Sequence, residues 1–470
     1  MKFRNSALLT VTLTAAAAAQ FAPPQPQDVR TFGAGVQRTM SLLAGATAAK
    51  RNTVRVMFYG QSITKQGWWR AVAADLRQRY PLADLVVVNR ALGGFSTPLL
   101  KRTIESDLIA WYPDLVIFHD YGDEPDYEWM IRQIRSRTTA EIAIQTDYYT
   151  WLPEAGKPAP EADVKRNAWH DKHCFEWLRD LCSRYGLEYM DVRKPWLDYL
   201  TSNKLRPADL LSDGTHMNAH GEFLLTELVK PHLRYDPSLP DTGWHGWVRD
   251  LVVGKDVEWK DGRLEVEFEG NRVDLMSSRV GRQPYARASI LVDGKRPSEF
   301  PELYAVTKQS DLAGADWPFV IHVGANAPLQ VEEWFLKITE TDAGNKVVRF
   351  EVRGSKTGPD GAGISTERFV SKSGRVVLEP EDWHLQRAFD YAKVLTPVGA
   401  ETRWQVVPLF LDIYEPPRRD DATREYPLTV AQGIRNGKHK LVLTKETLET
   451  PQIEAIRVYR PPLEETPQAK

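Results

Sequence analysis

Ser62, Asp213 and His216 are the residues of this chain whose types could together carry nucleophilic chemistry. Ser62 stands in Val54-Arg55-Val56-Met57-Phe58-Tyr59-Gly60-Gln61-Ser62-Ile63-Thr64, an apolar run that breaks at a glycine. Asp213 and His216 stand in Asp213-Gly214-Thr215-His216-Met217-Asn218-Ala219-His220-Gly221. A serine hydroxyl is a poor nucleophile until a base takes its proton, and a histidine does this best when a carboxylate holds its tautomer. The two segments supply a nucleophile, a base and an orienting acid.

Each segment alone has a plainer explanation. A glycine and serine after a strand often form only a turn. Asp-Gly-Thr-His can open a helix with Asp213 or Thr215 as its N-cap. The pair in this order, on a chain patterned as strand–helix repeats, favours catalysis.

These segments resemble the first and last blocks of the SGNH (GDSL-like) hydrolase family, in its secreted carbohydrate-esterase form. The resemblance implies Ser62 as nucleophile, Asp213 as orienting acid and His216 as base. Gln61 takes the place of the aspartate of Gly-Asp-Ser-Leu. The family's second block, a glycine whose N–H helps bind an oxyanion, is matched by Asn89-Arg90-Ala91-Leu92-Gly93-Gly94-Phe95-Ser96. Gly94 fits best, with the Ser62 N–H as the second donor. A glycine suits that place because the substrate oxygen must come close to the backbone. The third block departs from the family. After the strand comes His119-Asp120-Tyr121-Gly122-Asp123-Glu124-Pro125-Asp126, with acids where the family carries an asparagine. The resemblance covers about residues 53–234.

The elements that must position these residues follow from the pattern. Strands are expected at 54–59, 85–89, 115–119, 141–146 and 188–191. Helices are expected near 67–80, 98–111, 127–137, 162–185 and 219–233. Such alternation predicts an α/β fold, a doubly wound parallel five-stranded sheet of the flavodoxin-like kind. Ligands bind such sheets at the carboxyl ends of the strands. Ser62, Gly94, the Gly122 loop and the loop 148–151 all follow strand ends. After about Pro240 the pattern turns to alternating strands with turns such as Asp261-Gly262 and Asp293-Gly294, which predicts an antiparallel β-sandwich region, one sandwich or two. The expected organisation is a signal peptide and tether over 1–27, an N-terminal helix within 28–52, a hydrolase domain over 53–236 and the β-region over 237–470.

The chain has 470 residues and a formal net charge of −2. That balance gives no reason to expect nucleic acid or an anionic membrane as partner. Lys2 and Arg4 followed by an apolar stretch to Ala19 read as an export signal, too short to span a bilayer. The chain is therefore expected to be secreted or periplasmic. Cys174 and Cys182 fall on one predicted helix, about 12 Å apart at 1.5 Å per residue, too far for a disulfide. Two free, buried thiols are expected. His170 and His173 read as helical surface histidines, and neither a metal nor a cofactor is expected.

The activity expected is removal of acyl groups, acetyl foremost, from an acylated plant or microbial glycan. Gln61, Asp123, Glu124, Trp68, Tyr149 and Trp151 are the candidate substrate contacts. Aromatic rings suit the C–H faces of sugars, and carboxylates accept hydrogen bonds from their hydroxyls. Trp68 has packing in a core as its competing role, and Arg90 could meet a uronate. Two other functions remain open: a glycoside-cleaving enzyme using Asp120, Asp123, Glu124 or Asp126 as paired carboxylates, and a non-catalytic glycan-binding protein.

Overall fold

A computed structural model describes residues 21–279, 285–315, 317–342, 344 and 346–464. The expected export signal falls on residues 1–20, outside the described residues. The chain divides into two compact units. The first takes the chain up to Ser96, then Pro113–Gly122 and Ala140–His245. The second takes Thr97–Tyr112, Asp123–Thr139 and Gly246–Lys470. The division is thus not a single cut near residue 236: two helical segments of the expected hydrolase region group with the β-region.

The first unit is built on β1 (Thr53–Gly60), β2 (Asp84–Asn89), β3 (Leu115–His119), β4 (Glu141–Gln145) and β5 (Glu188–Met190). They form a parallel sheet in the order β2-β1-β3-β4-β5. The chain leaves β1 to one side and returns for β3 on the other, so the topological switch lies at the end of β1, where Ser62 follows. Val54, Val56 and Phe58 of β1 pack with Val72 and Leu76 of the helix Trp68–Arg79 and with Leu224, Leu225 and Leu228 of the helix Ala219–Val229.

Several elements are shorter or more broken than the periodicity predicts. The N-terminal helix is confined to Ala34–Val36, a 3₁₀ turn, and Gln37–Ala44. Its docking is polar as well as apolar. The buried Glu141 accepts the N–H groups of Arg38 and Thr39 at 2.8 and 2.7 Å. Glu188 accepts those of Gly33 and Gly35. The expected helix over 162–185 is Glu161–Lys172, a π turn at His173–Trp177, and Leu178–Tyr185. A further helix, Arg193–Ser202, was not expected.

In the second unit, the expected helix over 98–111 is a series of short turns ending in a π turn at Glu105–Ile109. The helix Glu124–Arg137 belongs here too. The C-terminal region forms antiparallel sheets. One is six-stranded, in the spatial order Ile413–Tyr414, Ala288–Val292, Pro427–Lys445, Arg263–Ser277, Ile453–Tyr459, Val248–Val252. The other is five-stranded: Gly358–Ile364, Val348–Gly354, Glu333–Thr341, Glu401–Pro408, Tyr304–Val306. Alternation in Arg263–Ser277 buries Leu264, Val266 and Phe268 on one face, as the sequence pattern requires.

Candidate active site

β1 must end in glycine. Gly60 has φ 146°, and a Cβ there would lie 1.9 Å from the His119 carbonyl oxygen on neighbouring β3. Gln61 is extended, and Ser62 opens the single helical turn Ser62–Lys65. As the first residue of that turn, Ser62 has an N–H with no acceptor within the helix. Beyond the end of β2 the chain keeps pairing with β1: Arg90 N–H donates to the Phe58 carbonyl and Leu92 N–H to the Gly60 carbonyl, each at 2.9 Å. This continuation carries the Gly93-Gly94 turn to the end of β1, with Gly94 at φ 72°. Asn89 ties the pieces together, because its Nδ2 donates to the Thr64 carbonyl at 2.8 Å.

One carboxylate shapes the second segment. Asp213 Oδ1 accepts the N–H groups of Thr215 and His216, both at 2.7 Å, which folds the loop back on itself. Its Oδ2 lies 2.8 Å from His216 Nδ1. The ring's other nitrogen, Nε2, lies 2.8 Å from Ser62 Oγ. A carboxylate can only accept, so Nδ1 carries the proton, Nε2 is the acceptor and Ser62 Oγ–H donates to it. The hydrogen bonds from His216 and Thr215 hold the Asp213 carboxyl down at about 2, ionised at any ordinary pH. The helix that follows is capped by Asn218, whose Oδ1 accepts from His220 and Gly221, rather than by Asp213 or Thr215.

Two further side chains hold this loop. Gln66 binds Met217 through both its amide atoms. Tyr148 is buried and stacked on Trp196 with centroids 4.6 Å apart, and its hydroxyl donates to the Thr215 carbonyl at 2.7 Å. Burial pushes the Tyr148 phenol well above its ordinary range, so it stays a donor.

The candidate substrate contacts separate. Gln61 is 7% exposed and directly precedes Ser62, and its Nε2 has no hydrogen-bond partner among the described residues. Trp68 is a core residue, 1% exposed, its indole N–H donated to the Ile63 carbonyl at 2.8 Å. It is corrected from substrate contact to packing. Tyr149 is buried as well, its hydroxyl on Asp171 at 2.7 Å and the Arg193 guanidinium 3.7 Å above its ring. Burial and then Asp171 push its phenol up to about 12. Trp151 stays half-buried, and its carbonyl is held by Asn167. Asp123 is the N-cap of the helix Glu124–Arg137 and accepts from Asp126 N–H at 2.8 Å. Glu124 is that helix's first residue, and Asp126 is paired with Lys101 at 2.6 Å. Two of the four acids proposed for glycoside cleavage are thus occupied in the local fold of the second unit. Asp120 is buried, with one oxygen on the Tyr121 N–H and burial raising its carboxyl well above the ordinary value.

Of the two helical histidines, His170 is half-buried and His173 is buried. His170 Nδ1 is 2.6 Å from the buried Asp147, which also accepts from the Tyr121 hydroxyl. Burial alone would raise the Asp147 carboxyl, but His170, His119 and Arg193 together outweigh it and hold it low. His173 is buried between the rings of Trp169 and Trp177. Cys174 and Cys182 are free and buried. No group of three His, Cys, Asp or Glu side chains that could hold a metal occurs among the described residues.

Residues 58–222 match the model of the GDSL-like Lipase/Acylhydrolase family. This part of the chain is a GDSL-like acylhydrolase domain, and the protein is a hydrolase of ester bonds. No curated protein matches the chain. Among solved structures, an acetyl xylan esterase, AlAXEase, is 18% identical over 37% of this chain and 98% of its own, with a TM-score of 0.32. A two-domain esterase active on acetylated mannans is 13% identical over 93% of this chain and 97% of its own, at 0.33. An acetylxylan esterase from Geobacillus stearothermophilus is 18% identical over 40% of this chain and 98% of its own, at 0.32.

Proposed function

We propose that the protein is an exported serine esterase that removes acetyl groups from a carbohydrate through an acyl-enzyme. The observation that carries this reading is the relay Asp213 Oδ2–His216–Ser62 Oγ, with both links at 2.8 Å. Ser62 Oγ attacks the ester carbonyl carbon while its proton passes to His216 Nε2. The ionised Asp213 stabilises the imidazolium. The N–H groups of Ser62 and Gly94 are the proposed oxyanion donors. His216 then protonates the leaving sugar oxygen, and the C–O bond to the sugar breaks. Water repeats the sequence on the acyl-enzyme, releasing acetate and restoring Ser62.

The sugar part of the reading is supported by the half-buried Trp151 and the exposed Trp169, since a flat ring face suits the C–H face of a pyranose. The tie from Asn167 Nδ2 to the Trp151 carbonyl brings the two segments together. Export rests on the amino-terminal pattern. No helix among the described residues is long and apolar enough to cross a membrane.

Fluorophosphonate labelling and a screen of acetylated polysaccharides, read by product mass, test the proposal. Expected are one label on Ser62, acetate release from at least one polysaccharide, and loss of both in Ser62→Ala. Sugar release that persists in Ser62→Ala would replace the esterase by the glycoside-cleaving reading.

A further inference from the structure

The second unit has a partly open cavity of about 200 Å³ that the chemistry above does not use. Three irregular pieces of backbone line it. The π turn Glu105–Ile109 contributes Glu105, Ser106 and Ile109. Gly433 contributes backbone at φ 109°, a conformation that strains any other residue. The strand carrying it, Pro427–Lys445, shifts register between Gln432 and Gly437. π turns and β-bulges both concentrate at functional sites.

The lining also selects a chemistry. Arg102 Nη2 lies 2.5 Å from the buried Asp382, and His322 Nδ1 lies 3.2 Å from the same carboxylate oxygen. Arg137 is paired with Glu105. Both arginines therefore already have a carboxylate, and an ionic ligand would have to break a pair. Val306, Val323, Leu329 and Leu409 supply apolar wall. Gln309 is 3% exposed, and its Oε1 has no hydrogen-bond partner among the described residues. A buried acceptor without a partner is destabilising, and a ligand hydroxyl would relieve it. The volume is below the roughly 300–1,000 Å³ of pockets for drug-sized ligands, so it suits a single ring.

We propose that this cavity holds one neutral pyranose, with a hydroxyl donating to Gln309 Oε1 and its C–H faces against the apolar wall, as a binding site separate from turnover at Ser62.

The test uses the full-length Ser62→Ala protein, so that nothing is consumed. Methyl β-xylopyranoside, methyl α-mannopyranoside and methyl β-glucopyranoside are titrated by saturation-transfer NMR, with glycerol and galacturonate as controls. Saturable binding of at least one methyl pyranoside is expected. Gln309→Ala should weaken it about tenfold, the value of one hydrogen bond. Ala305→Phe, which fills the cavity from the strand Tyr304–Val306, should abolish it. Both changes, placed in the chain that retains Ser62, should leave aryl acetate hydrolysis unchanged. Circular dichroism checks folding, and if Ala305→Phe fails to fold, Gln309→Ala decides. Absence of binding by all three pyranosides, binding that survives the substitution, or tighter binding of glycerol or galacturonate would overturn the proposal. The readout is binding alone, so its failure leaves the esterase reading intact, and failure of Ser62 labelling leaves this one intact.

Discussion

The Gln66 side chain and the Met217 backbone exchange two hydrogen bonds: Nε2 donates to the Met217 carbonyl at 2.8 Å, and the Met217 N–H donates to Oε1 at 3.0 Å. Gln66 directly follows the turn that carries Ser62, and Met217 directly follows His216. The pair therefore sets the spacing between Ser62 and His216, the proposed nucleophile and base. Gln66→Leu should lower kcat on an aryl acetate by about 10–100-fold with KM little changed, since a displacement of about 1 Å is enough for such a loss. Gln66→Glu keeps the acceptor and loses the donor, so it should fall between. Steady-state kinetics on both variants decides. A rise in KM at constant kcat would instead mean that Gln66 binds substrate.

Asp213 carries two duties on two oxygens, and they can be separated. Asp213→Asn keeps an acceptor for the loop N–H groups but loses the charge that favours His216⁺. A loss of kcat of roughly 10⁴-fold is expected on the precedent of serine-protease triads, with circular dichroism unchanged. The folded Asp213 carboxyl is depressed to about 2 from 3.8. Its contribution to stability is thus present above about 3.8 and is lost as pH falls through about 2. In a kcat/KM profile, the acid limb should accordingly fall well above pH 2 and belong to another group. An acid limb lying near 2 would show that Asp213 itself limits the rate.

The juxtaposition of Ser62, Asp213 and His216 was legible because their residue types are chemically specific and they stand just outside predictable elements. The roles of the residues that hold it were not legible. Gln66 and Tyr148 act on backbone groups of Met217 and Thr215, which lie far along the chain. A side chain that binds a remote carbonyl leaves no local pattern. His170 departs from its expected surface position in a helix that is not continuous over 162–185. The π turn His173–Trp177 inserts a residue into that helix and rotates the faces on either side by roughly 100°. The helix Arg193–Ser202 lies outside the expected elements, and Pro195 stands in its first turn, where no N–H is needed. Asp123, an expected substrate contact and candidate paired carboxylate, forms the N-cap of the helix Glu124–Arg137.

Asp120 gives a pH signature in stability. It is 4% exposed, and burial raises its carboxyl well above 3.8. A folded carboxyl raised above its unfolded value disfavours the folded state once pH exceeds the unfolded value, and this penalty disappears as pH falls below it. Asp120→Asn keeps an acceptor for the Tyr121 N–H at that position. Its melting temperature should exceed that of the parent protein at neutral pH and approach it below about 3.8. Neighbouring His119 acts in the opposite direction: burial lowers its ring to about 4, so its penalty grows as pH falls from 6.5 toward 4. His119→Gln should therefore flatten the acid side of the stability curve. Thermal melts across pH on the two single variants separate the two groups. A Tm difference for Asp120→Asn that does not vary with pH would show that its carboxyl is not raised.

The last prediction concerns cutting the chain after His245. The segments Thr97–Tyr112 and Asp123–Thr139 share a compact unit with Gly246–Lys470. Their polar ties within that unit are specific. Arg102 meets the fully buried Asp382. The Tyr112 hydroxyl donates to Asn271 Oδ1 at 2.9 Å, and Asn271 Nδ2 donates to the Arg137 carbonyl at 2.8 Å. The buried Arg135 lies 4.3 Å over the Trp247 ring. Truncation would strip all of these partners at once and leave Arg102, Arg135 and Tyr112 beside newly exposed apolar surface such as Ile104, Leu108 and Ile109, buried in the intact chain. The truncated protein should be insoluble or aggregate, although it retains Ser62, Asp213 and His216. Asn271→Ala in the intact chain is the milder form of the same test. It removes one amide that serves both helical segments and should lower stability by about 1–3 kcal/mol, read by denaturant unfolding. A truncated chain that is soluble, monomeric and as active as the parent on aryl acetate would show that the two helical segments do not depend on the β-region.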